Sequence, residues 1–280
     1  MIDNKPLVTI AICLFNDRYL KDLLSSLESQ TYKKIEYIFS IDNYSNRELI
    51  SKVNEFKNKN VKAQIFINKP ALGSMKNYEF CLTKANGDFF IRIDDDDVPY
   101  DQYYIEKLVN VICNGYDFII PRVDIIDENN NLKKENITHS YENCVSAEQF
   151  ALAYFNESAM IFYSLWKTNK LRLLKNHRYN SHYIEGYTNL YAAINFKGAY
   201  CYDARLLYRT HNKSISNSSK AEVYIKDYTI YFYEAFRVVL SSRNKISNHK
   251  QIMLRLITSY FTHMSVLCIL FIKSKLKTKI

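Results

Sequence analysis

The feature that most constrains the fold is an alternation of two hydrophobic periods through the first 126 residues. LVTIAICLF (7–15) is a continuous apolar run with β-branched residues, the mark of a strand buried on both faces. Leu20, Leu23, Leu24 and Leu27 then fall at i, i+3, i+4 and i+7, which makes an amphipathic helix. IEYIFSID (35–42) reads as a second strand, and Leu49, Ile50, Val53 and Phe56 mark a second helix. VKAQIFIN (61–68) is a third strand, followed by a helix from about Ser74 to Ala85. DFFIRID (88–94) is a fourth strand, 101–112 a helix and YDFIIPRVDII (116–126) another strand. Such alternation predicts an α/β fold, a mainly parallel sheet with helices on both faces. Ligands of such sheets bind beyond the carboxyl ends of the strands.

Two acidic positions occupy those ends: Asp42 after the second strand and Asp94, Asp95, Asp96 and Asp97 after the fourth, in RIDDDDVP. Four adjacent like charges repel, so a fold that gathers them must supply something positive. The usual phosphate cradles are absent. The turn after the first strand reads CLFND rather than GxGxxG, no GxxxxGK[ST] occurs, and the chain has only 5 glycines. A divalent cation, Mg²⁺ or Mn²⁺, meets both problems, because it takes carboxylate oxygens together with substrate phosphates. In extended backbone Asp94 and Asp96 share a face. The alternative is a solvated acidic turn in which Asp97 or Asp101 caps the next helix. An EF-hand is disfavoured, since Val98 and Pro99 stand where a ligand and a path to glycine are needed.

Composition narrows the setting. At 48% hydrophobic and 24% charged residues, wholesale disorder is excluded. The net charge of +9 suggests an anionic partner, for which nucleic acid, membrane and nucleotide all qualify; it is densest in KSKLKTKI (273–280). The 6 cysteines show no CxxC, so neither a zinc site nor a disulfide framework is expected and a reducing cytosol fits. The N-terminus reads as a first strand rather than a signal peptide.

Three stretches together resemble family 2 glycosyltransferases with the GT-A fold. PLVTIAICLFND is similar to that family's opening strand and turn. SLESQTYKKIEYIFSIDNYSN resembles its S-x-x-x-Q-T-Y-x-x-x-E, strand, D-[DN]-x-S stretch. KPALGSMKNYEFCLTKANGDFFIRIDDDD resembles its N-x-G-x-x-x-x-[RK]-N, helix, A-x-G-[DE], strand, D-x-D-D stretch. The match runs from residue 6 to about 112, with a weaker continuation over 184–216.

This resemblance implies a metal-dependent, inverting transfer of sugar from a nucleoside-diphosphate donor, most often UDP-linked, to a glycan or lipid-linked acceptor of cell-surface polysaccharide. It implies that Phe15, Asn16, Asp42, Lys76 and Asp95 contact the nucleotide sugar. Asp94 and Asp96 correspond to the DxD pair, with Asp96 the more direct metal ligand. His211, in RTHNKS, matches a loop histidine that approaches metal or diphosphate in some relatives. The family base lies in an E-D pair, and here that pair reads Glu185–Gly186. Glu185 is therefore the expected base. The missing second acid motivates an alternative, a catalytically impaired glycan-binding or scaffolding relative. Trp166 and Lys167 resemble a loop that lines the acceptor side.

The expected organisation is a GT-A domain over 1–215, with 1–112 binding the nucleotide sugar and 113–215 the acceptor. A helical extension follows over 216–280. Within it IMLRLITSYFTHMSVLCILFIKSKLKTKI is apolar but broken by Arg255 and His263, too short an unbroken run to span a bilayer. It reads as an interfacial helix on the inner face of the cytoplasmic membrane, the alternatives being a packed core helix or a dimer contact. The expected location is cytoplasmic and peripheral, with no nucleic-acid partner.

Overall fold

In a computed structural model the described residues are 5–60, 62–156, 163–174, 184–211, 221–246 and 248–277. The chain alternates as the hydrophobic periods require. Strands β1 (Val8–Leu14), β2 (Ile35–Ile41), β3 (Ala63–Ile67) and β4 (Phe89–Asp94) are parallel and lie in the order β3-β2-β1-β4. The sheet extends through β8 (Leu165–Lys167), β6 (Phe118–Ile126), β9 (Gly198–Arg209) and β5 (Val98–Pro99), with β7 (Leu132–Lys134) added to β6. Here β6 and β9 are parallel, while β8, β5 and β7 pair antiparallel with their neighbours.

Helices cover both faces. On one, α1 (Leu20–Ser29), α2 (Arg47–Lys59) and α4 (Tyr104–Ile112) bury Leu23, Leu27, Val53, Phe56, Ile105 and Leu108 against the strands. The opposite core contains Tyr78 and Cys81 of α3 (Ser74–Lys84), Phe150 of α5 (Ala147–Asn156) and Leu190 of α7 (Ile184–Asn195). The short α6 (Thr168–Leu171) follows β8. Helix α2 starts where the sequence supplies a cap: the Asn46 side chain accepts from Leu49 N at 3.0 Å.

The two terminal helices pack against the rest of the chain, the alternative that the sequence left open. Helices α8 (Ala221–Ser241) and α9 (His249–Lys277) share the core of α5 and α7, with Val239, Ile252 and Leu256 fully buried. They are part of the packed body. The outer side of α9 nevertheless leaves Leu254, Phe261 and Val266 exposed. Its Thr258, Thr262 and Ser265 hydroxyls donate to carbonyls one turn back on the same helix, at 2.8–2.9 Å. Among the described residues no helix is long and apolar enough to cross a membrane.

Several motif residues turn out to be buttresses. Glu36, buried in β2, accepts from Thr9 Oγ1 (2.5 Å), Asn86 N (2.6 Å) and Gly87 N (3.1 Å). Gly87 has no room for a side chain, because a Cβ there would lie 2.6 Å from the Thr9 backbone nitrogen. Gln30 ties α1 to α4 by donating to the Asp101 carbonyl (3.0 Å) and accepting from Ile105 N (3.1 Å). These bonds fix the position of β4, and with it the acidic turn.

Candidate active site

The chain winds β1, β2 and β3 to one side and then returns to place β4 on the other side of β1. The carboxyl ends of β1 and β4 therefore open onto the point where strand order reverses, the place where open α/β sheets bind ligands. Cys13 and Asp94 are register partners there, so the turn after β1 faces the turn after β4.

The four aspartates do not alternate along an extended strand. β4 stops at Asp94 and the chain turns, with Asp97 N donating to the Asp94 carbonyl at 3.2 Å. Each carboxylate is thereby aimed at a different donor. Asp94 is gripped by Arg92, two residues back on the same strand face, through Nε (2.5 Å) and Nη2 (2.8 Å), and the Tyr163 hydroxyl reaches it at 3.4 Å. Asp95 accepts from the backbone of Phe15 (2.9 Å) and Asn16 (2.9 Å) and from Asn16 Nδ2 (3.2 Å). Asp96 faces His211 Nε2 at 3.1 Å. Asp97, fully buried, accepts from Arg209 N at 3.0 Å. The repulsion expected from the sequence is thus met by a separate set of donors for each carboxylate.

Burial still works against full ionisation. It pushes the Asp95 carboxyl up to about 7, against the opposing pull of the Asn16 and Phe15 amides. Burial and the Asp94 charge raise Asp96, while His211 pulls it down. Burial holds Asp97 well above the usual carboxylate range. A site like this draws in positive charge.

Arg209 fixes the arrangement from beneath. Its side chain is 1% exposed; Nε donates to the Asp96 carbonyl (3.0 Å), and Nη1 donates to the Asp127 carbonyl (3.2 Å) and Asn130 Oδ1 (2.6 Å). The guanidinium lies 4.2 Å from the Tyr19 ring centre, and that ring also packs 5.7 Å from His211. Neither Arg92 nor Arg209 was expected from the sequence. Arg92 carried a signal, the i, i+2 spacing of a strand that places it with Asp94; Arg209, whose hydrogen-bond partners lie 79 to 113 residues away in the chain, carried none.

Asp42 is nearly buried at the end of β2. It accepts from Asn68 Nδ2 (2.8 Å), Leu72 N (3.2 Å) and Gly73 N (2.7 Å), shaping the loop that leads into α3. A carboxylate has about four acceptor positions, so these bonds leave one for another donor. Lys76 is exposed in the first turn of α3, and Phe15 is 62% exposed beside the Asp95 contacts. Glu185 lies in the first turn of α7, and its side chain is outside the described residues.

One expectation is corrected. Trp166 does not line an acceptor face: it is 3% exposed in β8, stacked on Phe118 with ring centres 4.8 Å apart and edge-on to Phe196. Its neighbour Lys167 is tied to Asp117 at 3.4 Å. The reason is position, since β8 bridges β4 and β6 in the middle of the sheet.

Among the described residues no three His, Cys, Asp or Glu side chains form a ready cation cage. The donor set nonetheless fits Mg²⁺ or Mn²⁺. These ions accept one or two protein carboxylates and take their remaining ligands from water and phosphate, and an imidazole beside the carboxylate favours Mn²⁺. Asp96 and His211 supply that pair, whereas Asp94 is already committed to Arg92.

The model of the Glycosyl transferase family 2 matches residues 9–187. An uncharacterized glycosyltransferase of Methanocaldococcus jannaschii is 25% identical over 181 residues, covering 63% of this chain and 60% of the relative. The GalNAc(5)-diNAcBac-PP-undecaprenol beta-1,3-glucosyltransferase of Campylobacter jejuni is 26% identical over 212 residues, 73% of this chain and 65% of that one. The chain thus spans less than two thirds of the length of these curated relatives. Among solved structures, S. aureus TarS in complex with UDP-GlcNAc superposes with a TM-score of 0.73 at 15% identity, over 91% of this chain and 73% of that one. The Pyrobaculum calidifontis mannosyltransferase PcManGT, in complex with GDP-Man and Mn2+, gives 0.60 at 10% identity over 99% and 82%. At those identities the structures speak for the shared fold.

Proposed function

The chain belongs to glycosyl transferase family 2, and from that premise we propose that it transfers a sugar, with inversion, from a UDP-linked donor to a glycan or lipid-linked acceptor. The carrying observation is the juxtaposition of Asp96 with His211, 3.1 Å apart, where the ends of β1 and β4 meet. The uridine nucleotide is suggested by TarS, solved with UDP and with UDP-GlcNAc. The lipid-linked acceptor is suggested by the undecaprenol-linked substrate in the name of the Campylobacter relative.

In this reading Asp96 and His211 would hold a divalent cation, which would supply positive charge to the departing diphosphate. Asp95, locked to the turn after β1, orients Phe15 and Asn16 toward the nucleotide. Asp42 offers its remaining acceptor position to the base or ribose, and Lys76 offers a cation to the donor's anionic side. Glu185 takes the proton from the acceptor hydroxyl as that oxygen attacks the anomeric carbon and the carbon–diphosphate bond breaks. A positioned base adds about 10²–10⁴-fold, and preorganised charge at the leaving group is the larger contribution.

The exposed Leu254, Phe261 and Val266 of α9, followed in sequence by Lys273, Lys275, Lys277 and Lys279, favour docking on an anionic membrane surface. That would place the enzyme beside a lipid-linked acceptor of cell-surface glycan synthesis. Gly186 beside Glu185 favours the rival reading, a relative that binds glycans without turnover. Thermal unfolding in a panel of nucleotide sugars with Mn²⁺ tests the donor assignment, because a ligand specific for the folded state raises the melting point. A UDP-sugar should stabilise the chain more than GDP- or CDP-sugars do; equal or absent shifts contradict the uridine assignment.

A further inference from the structure

A second constellation lies along β9, just beyond the acidic turn. Arg205 of β9 is the register partner of Arg122 on β6. Tyr100 follows β5 directly, and its backbone N–H donates to the Arg205 carbonyl at 2.9 Å. Tyr100, Arg205 and Arg122 therefore form one row across three strands. Tyr202, from the irregular stretch of β9 between the two registers, completes it: Arg122 Nη1 donates to its hydroxyl at 2.8 Å.

The row is built around a buried carboxylate. Asp124, fully buried, pairs with Arg122 Nε at 3.0 Å and with Arg205 Nε, and accepts from Asn136 N at 2.6 Å. Each guanidinium in turn packs on a tyrosine. Arg205 lies 4.2 Å from the Tyr100 ring centre and Arg122 lies 5.0 Å from that of Tyr202. The two rings are nevertheless 55% and 53% exposed. Two rigid aromatic faces thus stand open on one side of the sheet, their orientation set from below.

The charge at this place identifies the kind of ligand. Arg122 and Arg205 are matched by Asp124 and by Glu135, which takes Arg122 Nη2 at 3.3 Å. No excess positive charge remains for a phosphate or uronate. What is offered is ring surface, negative over its face, which suits the polarised C–H faces of pyranoses. Tyrosines held in place also lose little conformational freedom on binding.

We propose that Tyr100 and Tyr202 form a distal subsite for uncharged sugar units of the acceptor chain, a proposal that rests on the glycosyl-transfer reading above. The geometry relates it to the reaction centre. Tyr100 follows Asp96 by four residues, so their Cα atoms lie at most about 14 Å apart at roughly 3.6 Å per residue. A reach of that order exceeds one sugar ring, so the subsite engages an oligosaccharide and not a single sugar. It would grip the grown part of the chain while the terminal hydroxyl lies at the donor.

The test uses the full chain labelled with 3-fluorotyrosine, the Tyr100 and Tyr202 signals being assigned with Tyr→Phe variants. It is titrated with neutral hexasaccharides (β-glucan, α-mannan, β-linked N-acetylglucosamine and galactan series) and with their monosaccharides. UDP with Mn²⁺ is titrated into the same samples. At least one hexasaccharide should move both signals, and its monosaccharide at equal concentration should not. Tyr100→Ala and Tyr202→Ala should each weaken that hexasaccharide at least fivefold and leave UDP affinity unchanged, whereas Tyr100→Phe should retain it. If UDP binds but no hexasaccharide moves either signal, or the alanine variants bind as well as the parent, the subsite is refuted. If UDP itself fails to bind, the uridine assignment fails, and the hexasaccharide signals and alanine variants alone then decide the subsite.

Discussion

His211 Nε2 lies 3.1 Å from Asp96 Oδ2 although 115 residues separate the two in the chain. The pair joins the end of β4 to the segment after β9, so the proposed metal site exists only when β1–β4 and the later strands are assembled together. Asp96→Asn keeps the size of the side chain and removes its charge. Mn²⁺-dependent UDP binding should fall at least tenfold, about 1.4 kcal/mol, in calorimetry. His211→Ala should weaken it in the same direction, and neither change should alter the far-UV circular dichroism. Undiminished binding in both variants would place the cation elsewhere.

Arg209 is predicted to be structural first and functional through that. Removing it strips donors from the Asp96 and Asp127 carbonyls and from Asn130, all around a side chain that is 1% exposed. Arg209→Met should cost on the order of 3 kcal/mol in urea unfolding. Arg209→Lys should recover little of this, because an ammonium cannot reproduce the planar fork over the Tyr19 ring. A loss below about 0.5 kcal/mol would mean that the turn stands without it.

Glu185→Gln should leave UDP-sugar affinity near that of the parent and reduce turnover by about 10²-fold or more, since the amide cannot take the acceptor proton. A near-parental rate would pass the role to another acid. The exposed Asp203 of β9 is the next to substitute.

The terminal helix divides into two halves with different predicted effects. Ile252 and Leu256 are buried in the second core, so deleting 250–280 should expose apolar surface and give insoluble protein. Replacing Lys273, Lys275, Lys277 and Lys279 by glutamine should leave folding intact and weaken binding to anionic vesicles, each lysine contributing about 1 kcal/mol. The parent's binding should also fall as salt shortens the screening length toward 8 Å. Indifference to vesicles at low salt would assign the outer face of α9 to something other than lipid.

Much of the framework was legible because burial writes its period into the sequence. The four parallel strands and the helices between them follow the apolar runs closely. The acidic turn was located, and His211 was associated with it through the family resemblance. What was lost is what long-range contacts decide. Period-2 reasoning put Asp94 and Asp96 on one face, but the strand ends at Asp94 and Arg92 claims that carboxylate. Trp166 was expected on the acceptor side through a family resemblance, and nothing local reveals that β8 is inserted between β4 and β6. Glu36, Gln30 and Gly87 stand in recognisable motif positions yet serve as supports. A motif marks a constrained position without saying whether the constraint is chemical or structural.

The central claim is that this fold carries cation-dependent transfer from a UDP-sugar, and release of UDP measures it most directly. The full chain, incubated with a panel of UDP-sugars and Mn²⁺, should liberate UDP slowly from at least one donor even with water as the acceptor. Addition of EDTA should abolish the release, excess Mn²⁺ should restore it, and Asp96→Asn should not respond to the restored metal. Release that continues undiminished in EDTA would contradict the account, as would no UDP release from any donor at Mn²⁺ concentrations that saturate UDP binding.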